Sequence, residues 1–459
     1  MDQQGTSRRD FLKMLGAAAA ASRLTGIREE SYAEGREDIR AADRVFIANE
    51  DSNTIAVIDP VSNTVETTIN LTSFDEDPRP PFRFVTGGLA PTHAAMIHKP
   101  LYHGCIDAHG VVPSPDGRML ATSGRGSSNV YLIDSVHKKV VGNVVNPFAS
   151  PTTNAERISG GILVGREPHE PTFTRNGREL WVAVRGEDRI AILDVERAVR
   201  QSAGPDAQAI LKYVGTINGP AQVWFNASGT IAYVVSQKVP KIDVFKVNPD
   251  ERGHSSPERI TTLDISQQDA AGFTPFMKTP PDSKEIWFSH KLADAVSARL
   301  TAEPFSLLDT VLLGEKARPN HLEFVENEKG RVIYISLARV DDNGPGGVAS
   351  SRIAIVDRGA QAGQRKIVKT FFSHGREAHG LWASPENNLL YIAHEQDELP
   401  GSPHEGQTVA TAFDVSDPFE PKFKAQIPLG SLKLPSGELR NKKSINLVYV
   451  RPGFRGQTA

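Results

Sequence analysis

The chain repeats a unit of four short strand-like segments, and this repetition constrains its fold more than any other feature. The unit is clearest at residues 109–144, HGVVPSPDGRMLATSGRGSSNVYLIDSVHKKVVGNV, where short apolar runs are separated by turn residues. It recurs at residues 169–198 as HEPTFTRNGRELWVAVRGEDRIAILDVERA, and looser copies fill most of the remaining chain. Alternating apolar residues between such turns predict short antiparallel strands, four to each repeated sheet.

The two ends of the repeat array predict how it closes. Residues 43–71 contain the second, third and fourth strands of a unit without the first, and residues 444–454, SINLVYVRPGF, match the missing strand and its turn. Pairing of these segments would close the array into a ring and remove its free sheet edges. The sequence therefore predicts an all-β protein, a single seven-bladed β-propeller over residues 43–454, whose C-terminal strand completes blade one.

Composition excludes several classes of function. The 52 basic and 55 acidic residues give a formal net charge of -3, so no bulk charge attracts nucleic acid or an anionic membrane. Cys105 is the single cysteine, which rules out an internal disulfide, a zinc finger and a c-type haem attachment. Nucleotide-binding glycine patterns and a Gly-x-Ser-x-Gly elbow are also absent, so nucleotide-dependent chemistry is not expected.

The N-terminal segment predicts export. SRRDFLK at residues 7–13 precedes the weakly apolar run MLGAAAAA at 14–21, which resembles a twin-arginine signal peptide over residues 1–33, cleaved between Ala21 and Ala33. The alternatives are a membrane anchor or a chance basic start, but spanning a bilayer takes about 20 apolar residues. We therefore expect a periplasmic or secreted protein that meets the twin-arginine translocase and keeps no stable membrane anchor.

Histidines recur at one place in the repeat. Arg-x-x-His occurs in GREPHEP (165–171), KARPNHL (316–322) and GREAHGL (375–381), each time ahead of a strand-like run. Alignment of the blades on the following turn places one histidine at the start of the first strand in blades two, three, six and seven, namely His109, His169, His321 and His379. The matching places elsewhere are Ala221, Pro275 and Ile445–Asn446. In a propeller these strands line the channel, so the four histidines are expected at one mouth.

Other polar residues are predicted at the same mouth. Neutral imidazole is the commonest ligand of copper, zinc and iron, and nearby carboxylates orient such rings through their second nitrogen. We expect His109, His169, His321 and His379 to bind the metal, with Arg166, Arg318, Arg376, Glu167, Glu377, His290, His394 and Cys105 around the substrate or the ligands. Further residues in the connections between second and third strands are Glu50, Arg125, Arg185, Arg339 and Glu395, and Asp107 precedes His109 as Glu167 and Glu377 precede their histidines.

Two alternatives to a metal stay open. The ring of histidines could form a metal-free pocket, with histidine as general base and arginine as anion clamp. It could also be structural, although blades with Ala or Pro at this place show that the fold does not require imidazole. The insertion at residues 71–110 adds His93, His98, His103 and Cys105 before His109, and the thiol is either a ligand, a redox group or a small buried hydrophobe.

Two family resemblances extend these expectations. VFIANEDSNTIAVIDPVSNTVETTI, residues 45–69, resembles the YVTN family of β-propeller repeats, which implies seven blades and includes adhesive proteins, lactonases, lyases and metal-dependent oxidoreductases. PHEPTFTRNGRELWVAV, residues 168–184, is similar to the histidine-bearing strand of copper propellers of the methanethiol oxidase or selenium-binding type and of nitrous oxide reductase. That resemblance implies copper on the four histidines, with zinc or iron as alternatives. The expected function is an exported metal oxidoreductase acting on a small molecule; alternatives are a metal-free lactonase or lyase and a non-catalytic binding scaffold.

Overall fold

The computed structural model describes residues 41–71, 107–126, 128–141, 161–200, 209–266, 273–430, 432–433, 439–440 and 443–454. The predicted signal peptide, the histidines of the first insertion and Cys105 lie outside the described residues. None of the helices in the described part has the length and apolar character needed to cross a bilayer.

Seven four-stranded antiparallel sheets form the blades of a β-propeller, as the repeat predicted. Blade one contains β1 (Arg44–Asn49), β2 (Thr54–Asp59), β3 (Thr64–Asn70) and β31 (Ser444–Val450). Blade two contains β4 (Ala108–Pro113), β5 (Met119–Gly124), β6 (Asn129–Asp134) and β7 (Lys139–Val141), and the short β8 (Ile162–Leu163) pairs with β6. Blade three contains β9 (Pro168–Phe173), β10 (Glu179–Val184), β11 (Arg189–Asp194) and β12 (Ile210–Gly215).

The remaining blades follow the same order along the chain. Blade four contains β13 (Pro220–Phe225), β14 (Ile231–Ser236), β15 (Lys241–Lys246) and β16 (Glu258–Asp264). Blade five contains β17 (Met277–Lys278), β18 (Glu285–His290), β19 (Ala295–Leu300) and β20 (Leu307–Leu312). Blade six contains β21 (Pro319–Asn327), β22 (Gly330–Asp341), β23 (Ser350–Asp357) and β24 (Ile367–Phe372). Blade seven contains β25 (Arg376–Ala383), β26 (Leu389–Gln396), β27 (Val409–Asp414) and β28 (Lys422–Pro428).

A few short elements complete the described structure. A hairpin joins β29 (Leu432–Lys433) to β30 (Leu439–Arg440). The α-helix α1 spans Val195–Arg200, and 3-10 turns occupy Arg185–Glu187 and Pro345–Gly347. The described chain is thus almost entirely strand and turn.

The core lies between neighbouring blades rather than within any one of them. The first two strands of each blade are mostly buried because both their faces pack against adjacent sheets, so the second strand β10 (ELWVAV) carries apolar residues on both sides. Trp181 of blade three meets Phe225 of blade four edge to face, with ring centroids 5.1 Å apart. Outer strands such as β28 keep exposed polar residues. The core therefore fixes each blade against the next and leaves the inner strands to line the channel.

The last strand closes the ring, as the sequence predicted. β31 pairs with β1 in antiparallel register, with Val45 opposite Tyr449 and Ile47 opposite Leu447. Just outside this pairing, the buried carboxylate of Asp43 accepts hydrogen bonds from Tyr449 Oη at 2.8 Å and Arg451 Nη2 at 2.6 Å. The two ends of the array are therefore joined by strand pairing and by an ion pair, so blade one has no open edge between β1 and β31.

Candidate functional site

The site lies at one mouth of the channel, where the inner strands begin. In six blades the residue that leads into this strand has a positive φ, a conformation that turns the arriving chain sharply. These residues are Asp107, Glu167, Gly219, Arg318, Glu377 and Lys443. We call the second residue after each of them the entry position. The entry positions are held by His109, His169, Ala221, Asn320, His379 and Ile445.

His321 is displaced by one residue from the entry position that the alignment predicted. The positive φ of blade six belongs to Arg318, so Asn320 holds the entry position and His321 follows it. Hydrogen bonding supports this register, because Ser289 Oγ of blade five donates to the carbonyl of Asn320 at 2.7 Å, as a serine of blade two donates to that of His169. The third Arg-x-x-His spacing is therefore out of phase with the other two.

The structure nevertheless brings the four imidazoles together. The ring centroids of His109 and His169 are 4.4 Å apart, those of His321 and His379 are 4.8 Å apart, and those of His109 and His379 are 6.3 Å apart. The ring of His321 also stacks on Phe276 of blade five, with ring centroids 4.0 Å apart. Each of the four residues is between 4 and 8% exposed. They form one buried group, which we call the histidine cluster.

Two of the rings have a defined tautomer. His109 donates through Nδ1 to Glu50 Oε1 at 2.8 Å, and His169 donates through Nδ1 to the carbonyl of Ala221 at 2.9 Å. His169 Nε2 in turn accepts a hydrogen bond from the side-chain amide of Gln237 at 3.0 Å. In both neutral rings the proton is on Nδ1, so Nε2 carries the lone pair.

The other two rings are less constrained by hydrogen bonds. His379 Nε2 is 3.3 Å from Glu395 Oε1, while its buried Nδ1 has no partner among the described residues. His321 is held by ring contacts on both sides, to Phe276 and to His379. These are the rings whose nitrogens are most available to a ligand.

The histidine cluster is uncharged at neutral pH. Burial lowers the pKa of His109 to about 3, and the nearby Arg125 lowers it further against the opposing effect of Glu50. Burial likewise holds the pKa values of the other three rings well below the usual range, helped by neighbouring imidazoles and cations. Neutral imidazole is the form that binds metals and accepts protons.

Glu50 connects the cluster to a buried charge network. Besides His109, it forms ion pairs with Arg125 and with Lys443, and Arg125 Nε donates to Asp107 Oδ2 at 3.1 Å. Burial opposes ionisation of Glu50, but the charges of Arg125 and Lys443 hold its pKa well below the usual range. Burial raises the pKa of Asp107 to about 7. The carboxylate on His109 is therefore ionised and comes from blade one.

The carboxylates that precede the histidines have other partners. Glu167 lies 3.3 Å from Arg185, and Glu377 accepts a hydrogen bond from Gln396 at 2.8 Å. Their left-handed backbone aims these side chains along the mouth rather than at the ring two residues later. The carboxylates that do contact rings, Glu50 and Glu395, lie where a second strand ends.

The three arginines of the Arg-x-x-His motifs are likewise turned away from the rings. Arg166 donates to the carbonyl of Gly186 at 3.0 Å, and Arg376 donates to that of Asp397 at 2.5 Å. Arg318 is exposed. Among them, only Arg376 lines a cavity near the cluster. The three arginines therefore do not form a clamp over the four rings in this structure.

His290 and His394 have both ring nitrogens occupied. His290 contacts Thr274 through Nδ1 at 3.1 Å and Ser297 through Nε2 at 2.7 Å. His394 donates to the carbonyl of Val409 at 3.0 Å and contacts Ser373 at 3.0 Å. Both are fully buried inside their blades. Their predicted place around the substrate is therefore filled by structural hydrogen bonds.

Deeper in the channel lies a polar group that the sequence did not single out. Glu170 accepts a hydrogen bond from Asn446 at 2.9 Å, and Lys278 donates to Glu323 at 2.6 Å while its ammonium group lies 3.6 Å from the ring centroid of Trp382. These residues come from five different inner strands. The position of Glu170 directly after His169 is the sequence feature that could have pointed to this group. Burial raises its pKa to about 8.

A cavity of about 450 Å³ opens at the same mouth. Glu395 belongs to its wall and is also the contact of His379, so the cavity adjoins the histidine cluster. It lies between blades seven and one, because its residues come from the start of β25, the end of β26, the turn after β1 and the residue before β31. The lining residues are Asp51, Arg376, Glu377, Glu395, Gln396, Asp397 and Lys443.

The donor atoms are not arranged around a common point. Within the part of the chain that the structure describes, no group of three or more His, Cys, Asp or Glu side chains is placed to hold a metal ion. The rings are close, but Nε2 of His169 is turned to Gln237 and that of His379 to Glu395. A shared ion would require these two rings to change partners.

Comparisons with known proteins support the fold. No protein-family model matches the chain, and no curated protein matches it. Among solved structures, a protein of unknown function from Desulfotomaculum acetoxidans has 9% identity and a TM-score of 0.57, covering 89% of this chain and 99% of that one. The periplasmic gluconolactonase of Pseudomonas aeruginosa has 12% identity and a TM-score of 0.53, covering 89% and 99%.

A third similar structure is hydrazine synthase of Kuenenia stuttgartiensis. It has 16% identity and a TM-score of 0.51, and the alignment covers 75% of this chain and 96% of that one. At these identities the likeness shows the propeller fold and does not extend to the site. The chemistry has to be argued from the residues of this chain.

Proposed function

We propose that the histidine cluster binds one transition-metal ion, copper in the first place and zinc or iron as alternatives, in an exported oxidoreductase that acts on a small molecule. The observation that carries this proposal is the convergence of four neutral, buried imidazoles from four blades. Two of them, His109 and His169, already have the Nδ1-protonated tautomer, oriented by Glu50 and by the carbonyl of Ala221. Such partners are typical of metal-bound histidines.

The ring separations are compatible with a shared ion. An ion bound to Nε2 at about 2.0–2.1 Å lies about 3.2 Å from the ring centroid, so two rings on one ion have centroids about 4.5 to 6.5 Å apart. The neighbouring rings of the cluster are separated by 4.4, 4.8 and 6.3 Å, so the first pair would have to move slightly apart. Binding of an ion would also require rotation of His169 and His379 away from Gln237 and Glu395.

Two further features support a working site. The cavity is lined by Glu395, which contacts His379, and it has the volume of a modest ligand pocket. The buried charges of Glu50, Arg125 and Asp107 are costly to desolvate, and such groups are concentrated at functional sites. A bound metal would supply Lewis-acid or redox chemistry at the cluster.

The test is metal analysis of protein purified after native export. We expect about one metal ion per chain, and the His109→Ala, His169→Ala and His379→Ala variants each to lose most of it. His321→Ala is expected to lose it as well, because the stacking of this ring on Phe276 leaves its nitrogens available to the ion. His404→Ala, on the partly exposed loop between β26 and β27, is the matched control and keeps the metal. Wild-type protein without stoichiometric metal, or ligand variants that retain it, contradict the proposal.

A second candidate is metal-free hydrolysis of a small ester or lactone. The observation that favours it is the contact of Glu395 Oε1 with His379 Nε2 at 3.3 Å beside the cavity, because a carboxylate–imidazole pair can act as a general base toward water. Hydrolytic activity that survives chelation and is lost in Glu395→Gln would select this function. A protein that binds ligand without either metal or turnover would be a binding scaffold.

A further inference from the structure

The cavity between blades one and seven has a wall that is almost entirely charged. Four carboxylates, from Asp51, Glu377, Glu395 and Asp397, face two cations, from Arg376 and Lys443. Most ligand pockets are lined mainly by apolar side chains with a few polar groups. This cavity therefore selects for charge and hydrogen bonding rather than for apolar surface.

The two cations are partly committed to other groups. Lys443 forms an ion pair with the buried Glu50, which lies outside the cavity wall. Arg376 directs Nη1 to the carbonyl of Asp397, while its buried Nε has no partner among the described residues. By formal count, the four carboxylates exceed the two cations, so the wall carries an excess of negative charge.

Glu398 adds a further carboxyl group next to the wall, directly after Asp397 in the chain. It is 3% exposed, and within the described chain neither of its carboxylate oxygens has a hydrogen-bond partner. Burial, with the neighbouring Asp397, raises its pKa to about 7 against the effect of Arg376. Burial and the charge of Asp51 also raise the pKa of Asp397. A bound cation would favour the ionised form of both carboxyl groups.

The size of the cavity decides what kind of cation fits. At about 450 Å³ it exceeds the roughly 30 Å³ of one water molecule many times over, so a bare ion would not fill it. The described residues also offer no group of three acidic or histidine ligands to such an ion. An organic cation, with several directional donors spaced along a small molecule, uses the separated carboxylates and the amide of Gln396.

We infer that this cavity binds a small organic ammonium compound and is the substrate chamber of the histidine cluster. The second half of the inference rests on the proposed function, whereas the binding of the ammonium compound does not. A molecule in the chamber lies against Glu395, whose other side contacts His379, so the reacting end of the substrate is directed toward that ring.

Three small probes of similar size test the charge preference: 2-aminoethanol, ethylene glycol and glycolate. Binding to the full-length exported protein is measured by calorimetry or by ligand-observed NMR at fixed ionic strength. We expect 2-aminoethanol to bind about tenfold more tightly than ethylene glycol, and glycolate to bind most weakly. Equal or stronger binding of glycolate overturns the inference, as does an equal response to all three probes. Saturable binding of Ca²⁺ that excludes 2-aminoethanol would replace it with an inorganic cation site.

Variants locate the binding in this cavity. Glu377→Gln and Asp51→Asn are each expected to weaken 2-aminoethanol binding severalfold while leaving the metal content unchanged. Glu420→Gln, which removes an exposed carboxylate paired with Lys369 on the outer strands, is the control and should bind like the wild type. Unchanged affinity in both cavity variants, with native circular dichroism, contradicts the assignment.

The two proposals fail in different ways. A protein without metal that still prefers 2-aminoethanol removes the metal centre and keeps the ammonium site. A protein with metal and no preference among the probes keeps the centre and removes the ammonium site.

Discussion

Glu50 of blade one accepts a hydrogen bond from Nδ1 of His109 in blade two across 2.8 Å, so the carboxylate that fixes this ring belongs to a neighbouring sheet. The same carboxylate is the partner of Arg125 and Lys443, from blade two and from the residue before β31. One side chain therefore joins three separate segments at the mouth of the channel.

Glu50→Gln is expected to destabilise the protein strongly. The amide keeps the size of the side chain but removes the charge that Arg125 and Lys443 share, and leaves Arg125 with Asp107 alone; breaking a buried ion pair costs about 3–5 kcal/mol. Denaturant unfolding monitored by tryptophan fluorescence measures the loss. Glu66→Gln is the control, because Glu66 pairs with Arg44 and Lys138 at the surface and should cost less than about 1 kcal/mol. Similar losses in the free energy of unfolding for both variants would show that the buried contacts of Glu50 do not contribute more than a surface ion pair.

Buried His290 makes stability fall in acid. Burial lowers its pKa to about 3, against about 6.5 in an unfolded chain. Below pH 6.5 the unfolded state therefore binds a proton that the folded state does not, and the free energy of unfolding falls with decreasing pH from about 6.5 to about 3, by at most about 1.4 kcal/mol per pH unit. His290→Gln should reduce this slope by about that amount in denaturant titrations between pH 6 and 4. An unchanged slope would assign acid sensitivity to other groups.

Removal of the closing strand is expected to prevent folding. A chain lacking residues 440–459 loses β31, so β1 becomes an open, buried-type edge and Asp43 loses Tyr449 and Arg451. We expect aggregation and no cooperative thermal transition. A shorter deletion of residues 455–459 leaves all these contacts in place and serves as the control. Soluble, cooperatively unfolding protein from the longer deletion would contradict the importance of closure.

The export prediction depends on the two arginines at positions 8 and 9. Their replacement by lysine keeps the charge but removes the pair that the twin-arginine receptor reads, so the protein should accumulate in the cytoplasm. Cell fractionation with immunoblotting measures this, with Arg23→Lys as control. Normal periplasmic or extracellular yield of the double variant would argue for another route.

The fold could be predicted from the sequence because the chain repeats one unit of four strands. Each blade carries the same order of apolar strands and turn residues, and the incomplete first unit pointed to residues 444–454 as its missing strand. Local alternation therefore predicted strand pairing and closure without any knowledge of long-range contacts.

The candidate site could be predicted only in part. The histidines at positions 109, 169 and 379 follow the blade register, but the alignment was off by one at His321, because the left-handed residue of blade six is Arg318 and sequence spacing does not report φ. The carboxylates two residues before the histidines were expected to orient the rings, but Glu50 and Glu395 contact them in the structure. Which acid reaches a ring depends on the angle between neighbouring blades, and a one-dimensional repeat does not contain that angle.

The position of β31 has a consequence for cooperativity. Lys443, just before this strand, pairs with Glu50, and Asn446 within it binds Glu170, so a strand far from the rest of blade one in sequence completes contacts at the mouth and inside the channel. Separation of β31 from β1 would therefore break the sheet of blade one and both of these polar contacts together. The geometry of the site and the closure of the ring are thus lost in the same event.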